Sequence, residues 1–553
     1  MSTAKLQNAS DLFIKALENE GVEVVYGVPG EENLAFLEAL RKSKIKLILN
    51  RHEQAAAFMA ATYGRITGKT GVAIATLGPG ATNFTTAAAY AKLGGFPLLL
   101  ITGQKPIKQS KQGQFQIIDV VSMMRPLTKY TKQIVDVNMV CTTVREAVRI
   151  SQEEKPGCVH IEFPEDVSAE LITSSTKGVL NISSVSYPCD NLQGIDEAST
   201  MIKVAKLPLV LIGAAGNRHN AYKEITQFIN TTGIPFFNTQ MGKGIVAENS
   251  PHFIGTAALS AGDYLHDAIK KADLIINIGH DVIEKPAYFP HENLKTIHIN
   301  YTSAMVDNIY YPHLECIGDI TSILKALGTK VGKCSKDFSA VYKVKEFLQK
   351  HLSEHNTDNS FPIKPQRLVN DINKIMAKDG TVCLDNGVYK LWFARNYTTQ
   401  LPNTLLLDNA LATMGAGLPS AMEVARLNPK NKVLAVVGDG GFMMNSQELE
   451  TAVRLKLNLV VLIINDNSYG MIRWKQNAMG LEDYGLQFHN PNFIKYAESY
   501  GIKGYMLTKT EEFSNLLTKC FKEGGVHLIE TPIDYLENKK VLTDELKKHK
   551  GLI

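Results

Sequence analysis

The chain has 553 residues, which is enough for about three domains of ordinary size. Its 59 basic and 55 acidic residues nearly balance and no apolar run is long enough to span a bilayer, so we expect neither nucleic-acid nor membrane binding. Seven scattered cysteines without a CxxC pair argue against a disulfide framework or a zinc site, and we expect a cytoplasmic protein.

The first predicted domain, residues 1–175, alternates apolar strands with helices. Predicted helices at Glu53–Thr67 and Gly80–Leu93 separate some of the strands. This alternation is typical of a doubly wound parallel sheet. The predicted strands are Glu23–Tyr26, Ile45–Leu49, Val72–Thr76, Pro97–Thr102 and Val159–Phe163.

Two polar stretches, 173–191 and 352–361, predict linkers that separate a central domain, 190–345, from a third domain, 362–553. Both domains continue the alternation, so the fold class is α/β with three doubly wound parallel-sheet domains. The predicted strands are Pro208–Gly213, Leu274–Ile278, Thr296–Asn300, Thr381–Asp385, Lys432–Val437, Leu459–Ile464 and His527–Pro532.

Two acidic motifs follow neighbouring strands of the third domain. Gly438-Asp439-Gly440 ends one strand and precedes a predicted helix at Ser446–Leu455, and Asn465-Asp466-Asn467 ends the next strand. Ligands bind at this edge of open α/β sheets, the glycines allow close approach of a phosphate, and paired carboxylates suit Mg²⁺. The glycine motif alone is more often a plain tight turn, but the second motif favours a phosphate and metal site.

This pattern resembles the diphosphate-binding signature of thiamine-diphosphate enzymes. The resemblance covers essentially the whole chain and is closest to acetolactate synthases, in particular to the catabolic, flavin-independent branch. Gly438–Arg454 and Phe493–Tyr505 carry it most clearly. It implies pyrimidine-binding, central and diphosphate-binding domains, in that order. It also implies that the side chains of Asp439 and Asp466 and the backbone of Ser468 hold Mg²⁺.

Glu53 is the residue that the resemblance identifies as the activating acid. By itself it reads as an acidic residue in a first helical turn, where the helix dipole favours negative charge. In relatives, a glutamate at this place stabilises the imino tautomer of the aminopyrimidine ring, which then deprotonates the cofactor. The resemblance further implies a homodimer or homotetramer in which Glu53 of one chain serves the cofactor held by another.

Three loops of the N-terminal domain resemble other parts of the family site. Gly30 would donate to a developing oxyanion, while Glu31 is equally well read as a proton relay or as an exposed carboxylate. Gln116 matches an active-site glutamine, and the absence of adjacent histidines there favours carboligation over simple decarboxylation. The remaining cofactor contacts implied in these loops are Pro29, Pro79 and Asn83.

The third domain supplies the other cofactor contacts that the resemblance implies. Met414 would support the bent cofactor, although a lone Met is usually core. Lys390 would bring a cation to the diphosphate. The other implied contacts are Asn386, Tyr389, Gly438, Gly440, Gly441, Tyr469, Gly470, Met471 and Ile472.

We therefore expect the chain to convert two molecules of pyruvate into 2-acetolactate and CO₂. Glu31, Glu32 and Lys475 depart from the family pattern. The alternative is therefore another thiamine-diphosphate enzyme that acts on a different 2-oxo acid. A non-catalytic cofactor-binding regulator is disfavoured because Glu53 is retained, and an NAD-dependent enzyme is disfavoured because no full GxGxxG is present.

FAD binding in the central domain is not expected. Leu207–Gly216 resembles a strand and phosphate turn but lacks a full GxGxxG. Gly279–Pro286 looks like the flavin-free branch, with Lys285 near the position of an arginine that biosynthetic relatives use. Thr239–Gly244 instead looks biosynthetic.

Overall fold

The structure is a computed structural model that describes residues 7–109, 113–182, 184–185, 188, 191–376, 380–549 and 551. Its contacts divide the chain into two compact units. The first comprises residues 1–187 together with the short stretches 422–424 and 445–455, and the second comprises residues 188–421, 425–444 and 456–553. No helix among the described residues is long and apolar enough to cross a membrane.

The first unit contains a six-stranded parallel sheet in the order β2-β1-β3-β4-β6-β5. Its strands are β1 (Val24–Gly27), β2 (Lys46–Leu49), β3 (Gly71–Ala75), β4 (Leu98–Gln104), β5 (Tyr130–Gln133) and β6 (Cys158–Pro164). Its helices are α1 (Ala9–Asn19), α2 (Leu34–Arg41), α3 (Glu53–Thr67), α4 (Gly78–Thr82), α5 (Thr85–Gly94), α6 (Val120–Met124), α7 (Val140–Gln152) and α8 (Glu165–Ser168).

The second unit contains two such sheets, of which the central one is ordered β12-β11-β10-β7-β8-β9 and is again parallel. Its strands are β7 (Pro208–Ile212), β8 (Phe236–Asn238), β9 (Phe253–Thr256), β10 (Leu274–Ile278), β11 (Lys295–Asn300) and β12 (Leu314–Ile317). The helices around it are α9 (Ile195–Val204), α10 (Tyr222–Thr232), α11 (Leu265–Lys271), α12 (Ile320–Val331) and α13 (Ser339–Ser353).

The last sheet, in the order β14-β13-β15-β16-β18-β17, is parallel too. Its strands are β13 (Thr381–Leu384), β14 (Leu405–Leu406), β15 (Val433–Gly438), β16 (Leu459–Asn465), β17 (Lys503–Met506) and β18 (Val526–Pro532). The helices of this part of the chain are α14 (Pro365–Met376), α15 (Tyr389–Asn396), α16 (Gly417–Leu427), α17 (Asp439–Asn445), α18 (Glu448–Arg454), α19 (Gly470–Ala478), α20 (Phe493–Ser499), α21 (Phe513–Glu523), α22 (Leu536–Lys539) and α23 (Leu546–Lys548).

Three parallel six-stranded sheets with flanking helices confirm the predicted α/β class. Central strands such as β3, β4 and β10 are buried along their whole length, because helices cover both faces, and this is why they read as continuous apolar runs.

Two predicted helices differ from the structure. The helix predicted at Gly80–Leu93 is two helices, α4 and α5, separated by a short break. We expected a single helix at Ser446–Leu455, but α17 already begins at Asp439 and α18 follows it after a break. The glycines at 440 and 441 lower helix propensity, so the pattern hid this helical turn. Asp439 is consequently the first residue of a helix that starts directly at the end of β15.

Candidate active site

Glu53 is the first residue of α3, the helix that follows β2 in the chain. The preceding His52 caps the helix, its Nδ1 accepting from the backbone N–H of Gln54 at 3.0 Å. Asn83 Nδ2 donates to Glu53 Oε2 at 2.9 Å. A Cβ at Gly80 would lie 3.3 Å from Glu53 Oε1, so only a very small residue leaves the carboxyl unobstructed on that side. The structure therefore brings Glu53, Asn83 and the Gly-Pro-Gly loop together.

The loop after β1 is anchored by an ion pair that the sequence did not reveal. Glu32 and Lys105 are both buried, and Lys105 Nζ donates to Glu32 Oε1 at 2.6 Å, while the Thr76 hydroxyl donates to the other oxygen. Burial raises the pKa of Glu32, but these hydrogen bonds outweigh it and the net shift is downward. A charged, fully bonded Glu32 ties this loop to the ends of β3 and β4.

The Gly30 position in the same loop tolerates only glycine. A Cβ there would approach the Thr76 Cβ to 2.2 Å. Thr76 also faces Gly80, where a Cβ would come within 2.9 Å of its methyl group. Thr76 therefore packs against both Gly30 and Gly80, and Gly80 lies beside Glu53. Glu31 is exposed at the start of a short 3₁₀ turn. Pro29 is exposed in the loop after β1, and Pro79 is exposed at the start of α4.

Gln116 lies on an exposed turn and has a positive φ of 58°. Its carbonyl oxygen approaches Gly78, where a Cβ would be only 2.7 Å away. The loop of Gln116 therefore adjoins the Gly-Pro-Gly loop. Lys111 and Gln112 of the same motif lie outside the described residues.

Asp439 and Asp466 follow β15 and β16, which are adjacent parallel strands with Gly438 opposite Ile464. Burial raises the pKa of both carboxyls, and the charge of Asp439 adds to the effect on Asp466, whose pKa rises to about 7. Asn490, which the sequence did not single out, donates through Nδ2 to Asp439 Oδ2 at 2.7 Å and to Asn467 Oδ1 at 3.0 Å.

The two carboxyls leave oxygens that suit a cation. Asp466 Oδ2 and Ser468 Oγ are buried without a hydrogen-bond partner among the described residues, and Arg473 Nη1 lies 3.7 Å from Asp466 Oδ2. Within the described ranges, no group of three His, Cys, Asp or Glu side chains could hold a metal ion. Two carboxylates with room for backbone and phosphate oxygens form the donor set that Mg²⁺ takes beside a diphosphate.

The Gly-Asp-Gly turn faces a further buried acid, Asp385, at the end of β13. Its carboxylate accepts from the backbone N–H groups of Gly415, Ala416 and Gly417 at 3.0 to 3.1 Å. Burial raises the pKa of Asp385 to about 6. A Cβ at Gly441 would lie 2.1 Å from Asp385 Oδ2. Asp385 thereby holds together the turn with Asn386 and the loop with Met414, and the sequence offered only its position at a strand end as a signal.

Other predicted contacts surround the same turn. The Tyr389 hydroxyl accepts from the backbone N–H of Gly438 at 3.0 Å, and the Tyr469 ring packs on Phe488 with centroids 5.0 Å apart. A Cβ at Gly440 would lie 2.9 Å from the Tyr469 ring, and one at Gly470 would lie 2.7 Å from Asp466 Oδ2. These contacts bring the motif after β15 and the motif after β16 together. Ile472 is half exposed.

A cavity of about 1120 Å³ is lined by residues of the central domain and of the third domain. Asn386 and Met471 line it together with four lysines, Lys285, Lys390, Lys475 and Lys547. Lys390 is buried, and burial together with repulsion from Lys285 lowers its pKa to about 8. Its Nζ donates to the Asp408 carbonyl at 3.1 Å. Four ammonium groups around one cavity favour an anionic ligand.

Comparison with known proteins gives matches along the whole chain. The family descriptions are "Thiamine pyrophosphate enzyme, N-terminal TPP binding domain" for residues 7–123, "central domain" for 195–327 and "C-terminal TPP binding domain" for 385–531. An "Acetolactate synthase" from Bacillus subtilis (strain 168) is 31% identical over 98% of this chain and 96% of that protein.

Two further relatives are similar to this chain over nearly their whole length. A "Probable acetolactate synthase large subunit" from Methanococcus aeolicus is 32% identical over 95% of this chain and 92% of that protein. An "Acetolactate synthase, catabolic" from Raoultella terrigena is 30% identical, with 96% of each chain covered.

Proposed function

Because the chain belongs to the acetolactate synthase family of thiamine-diphosphate enzymes, we propose that it decarboxylates pyruvate and joins the two-carbon fragment to a second pyruvate, forming 2-acetolactate and CO₂. The observation that carries this proposal is the pair of buried carboxyls, Asp439 and Asp466, at the ends of adjacent strands. A second supporting observation is that a hydrogen bond from Asn83 restrains the Glu53 carboxyl in the N-terminal domain.

Asp439, Asp466 and the backbone of Ser468 would hold Mg²⁺, with the diphosphate completing the coordination. A divalent cation would reduce the repulsion between the two carboxyls, and it would be coordinated by Asp466 Oδ2, which has no hydrogen-bond partner among the described residues. Tyr389 and Gly438, Gly440 and Gly441 would face the diphosphate, and Met414 would lie beneath the cofactor. When bound, thiamine diphosphate supplies a nucleophilic ring carbon and the electron sink that decarboxylation needs.

Glu53 would hold a proton at its carboxyl for the aminopyrimidine ring, and Asn83 orients that carboxyl. The Gly30 backbone would donate to negative charge that develops on the substrate oxygen, held in place by the Glu32–Lys105 pair. Gln116 would position substrate, and Glu31 remains a candidate proton relay. Lys390 and the other cavity lysines would bind the carboxylate of the 2-oxo acid.

The proposal includes a homodimer or homotetramer in the cytoplasm. As in the family, Glu53 of one chain would serve the cofactor held by Asp439 and Asp466 of another. The proposed domains are 1–175, 190–345 and 362–553, and the proposed enzyme works without FAD. An absorbance spectrum of the purified protein tests the flavin: a bound flavin band would contradict that part.

The test of the reaction is incubation of the pure protein with pyruvate, Mg²⁺ and thiamine diphosphate. We expect 2-acetolactate and CO₂ in equal amounts, and no product when either Mg²⁺ or the cofactor is omitted. Acetaldehyde without acetolactate would refute the carboligase assignment.

A second candidate function is the same chemistry with a different acceptor. Lys475 lies over the Trp474 ring at 4.3 Å and lines the cavity, so a cation stands near the entering acceptor. A panel of 2-oxo acids with chains of different length and charge, each offered together with pyruvate, separates the two functions. Faster consumption of another acceptor would favour the second candidate.

A further inference from the structure

A short helix that follows the diphosphate motif in sequence packs against the turn that carries Glu53. Residues 445–455, which include α18, belong to the same compact unit as the N-terminal sheet. They contact the segment 49–54, which runs from the last residue of β2 into the first turn of α3, at several points. Arg454 Nη2 donates to the Leu49 carbonyl, and Asn445 Nδ2 donates to Gln54 Oε1 at 3.1 Å.

Glu448 makes most of the bonds in this contact. Its side chain is fully buried, and its Oε1 accepts from the backbone N–H groups of Arg51 at 2.9 Å and His52 at 3.0 Å. Its Oε2 accepts from Asn50 Nδ2 at 3.1 Å and from the Thr451 hydroxyl at 2.6 Å. One carboxylate therefore binds three consecutive residues that directly precede Glu53.

These bonds determine the direction in which α3 begins. The amides of Arg51 and His52 stand ahead of the first helical turn, where no helical carbonyl is available to them. Each loses its acceptor if the carboxylate is removed, and an unmade hydrogen bond of this kind costs about 1–3 kcal/mol. The turn then relaxes, and Glu53 moves with it.

We propose that Glu448 is a positioning residue, which holds the turn 50–52 so that the Glu53 carboxyl stays in its reactive place. The proposal rests on the proposed role of Glu53 as the activating acid. A misplacement of about 1 Å at a reacting group lowers a rate by up to roughly 100-fold. Loss of Glu448 should therefore slow the step in which Glu53 takes part and leave pyruvate binding nearly unchanged.

The central variant is Glu448→Ala in the holoenzyme. The step is followed as exchange of the cofactor's ring C2 proton for deuterium, by quenching with acid and recording NMR spectra. We expect the exchange rate and kcat to fall by the same factor, between about 10-fold and 100-fold. KM for pyruvate should stay within twofold. Faster amide exchange at residues 49–54 of the cofactor-free protein, measured by mass spectrometry, should accompany the loss.

Two more substitutions keep the proposal testable if the alanine variant does not fold. Glu448→Asp shortens the side chain by one methylene, so it cannot reach all its donors, and its exchange rate should fall several-fold. Glu448→Gln keeps an oxygen for the two amides, while its NH₂ can donate to Asn50 Oδ1, which is buried and unpartnered among the described residues. The glutamine variant should restore most of the exchange rate.

The matched control is Glu248→Ala in the central domain. Glu248 is also buried and accepts from Lys243 Nζ at 2.9 Å, Asn238 Nδ2 at 2.9 Å and the Thr399 backbone N–H at 2.8 Å. Its removal should lower stability without slowing C2 proton exchange. Equal slowing in this control, or a wild-type exchange rate in both Glu448→Ala and Glu448→Asp, would overturn the proposal. Glu53→Gln separates the proposed role of Glu448 from the proposed role of Glu53. An unchanged C2 proton exchange rate in Glu53→Gln would contradict the role of Glu53 itself.

Discussion

Lys390→Met should stabilise the protein and at the same time weaken substrate binding. Burial, with repulsion from Lys285, lowers the pKa of Lys390 from 10.5 to about 8, so its charge costs roughly 3 kcal/mol of folding free energy at pH 7. Methionine is also long and unbranched, but it is uncharged and gives up the bond to the Asp408 carbonyl, which contributes about 1 kcal/mol. The expected net gain is about 2 kcal/mol at pH 7.

The stability difference between Lys390→Met and the wild type should depend on pH. Below pH 8 the ammonium is charged in the folded and the unfolded protein, so the full cost is present. Between pH 8 and 10.5 the folded protein gives up its proton first, and the wild type becomes more stable relative to the variant. The advantage of Lys390→Met should therefore disappear by about pH 10.5.

Urea unfolding at a series of pH values measures the stability difference, and steady-state kinetics measures the binding effect. We expect KM for pyruvate to rise about tenfold in Lys390→Met, which corresponds to 1.4 kcal/mol of lost binding. Lys285→Met, which removes an exposed lysine of the same cavity, is the control and should raise KM without the same gain in stability. A less stable Lys390→Met protein at pH 7, or an unchanged KM, would refute the reasoning.

Glu53→Gln should lower kcat by about 10²–10⁴-fold while cofactor binding, measured by calorimetry, stays within a few-fold. Asp466→Asn should weaken Mg²⁺-dependent cofactor binding at least about tenfold. It should leave the cofactor-free protein as stable or more stable in urea, because it removes the repulsion from Asp439. Burial raises the pKa of Glu284 from 4.5 to about 7, so wild-type stability should fall as the pH rises through that interval. Glu284→Gln should remove the part of this fall that Glu284 contributes and be more stable above pH 7, by up to about 3 kcal/mol.

Most interior strands could be predicted from the sequence, and so could the edge strand β2, but the other edge strands could not. The strands β3, β10 and β16 are continuous apolar runs because helices cover both of their faces. In contrast, β5 and β17 are edge strands with partly exposed, mixed residues, so they carry no clear pattern. The break between α17 and α18 was hidden for a similar reason, since the motif glycines mask a helical turn.

The same division holds for the candidate site. Asp439 and Asp466 each directly follow a strand, so a local pattern was enough to single them out, whereas Glu53 was singled out by the family resemblance. Parallel strands end at the same edge of a sheet, and this geometry turns a sequence spacing into a spatial neighbourhood. The sequence by itself therefore determined the sheets, the acids at their edges and the family.

Tertiary structure alone decided which distant side chains support those acids. Glu448 reaches the turn before Glu53 across almost 400 residues, and Lys105 reaches Glu32 across 73. The gathering of Lys285, Lys390, Lys475 and Lys547 around one cavity is equally non-local. Such contacts depend on how helices and loops pack across the sheets, and no periodicity or spacing along the chain records that packing.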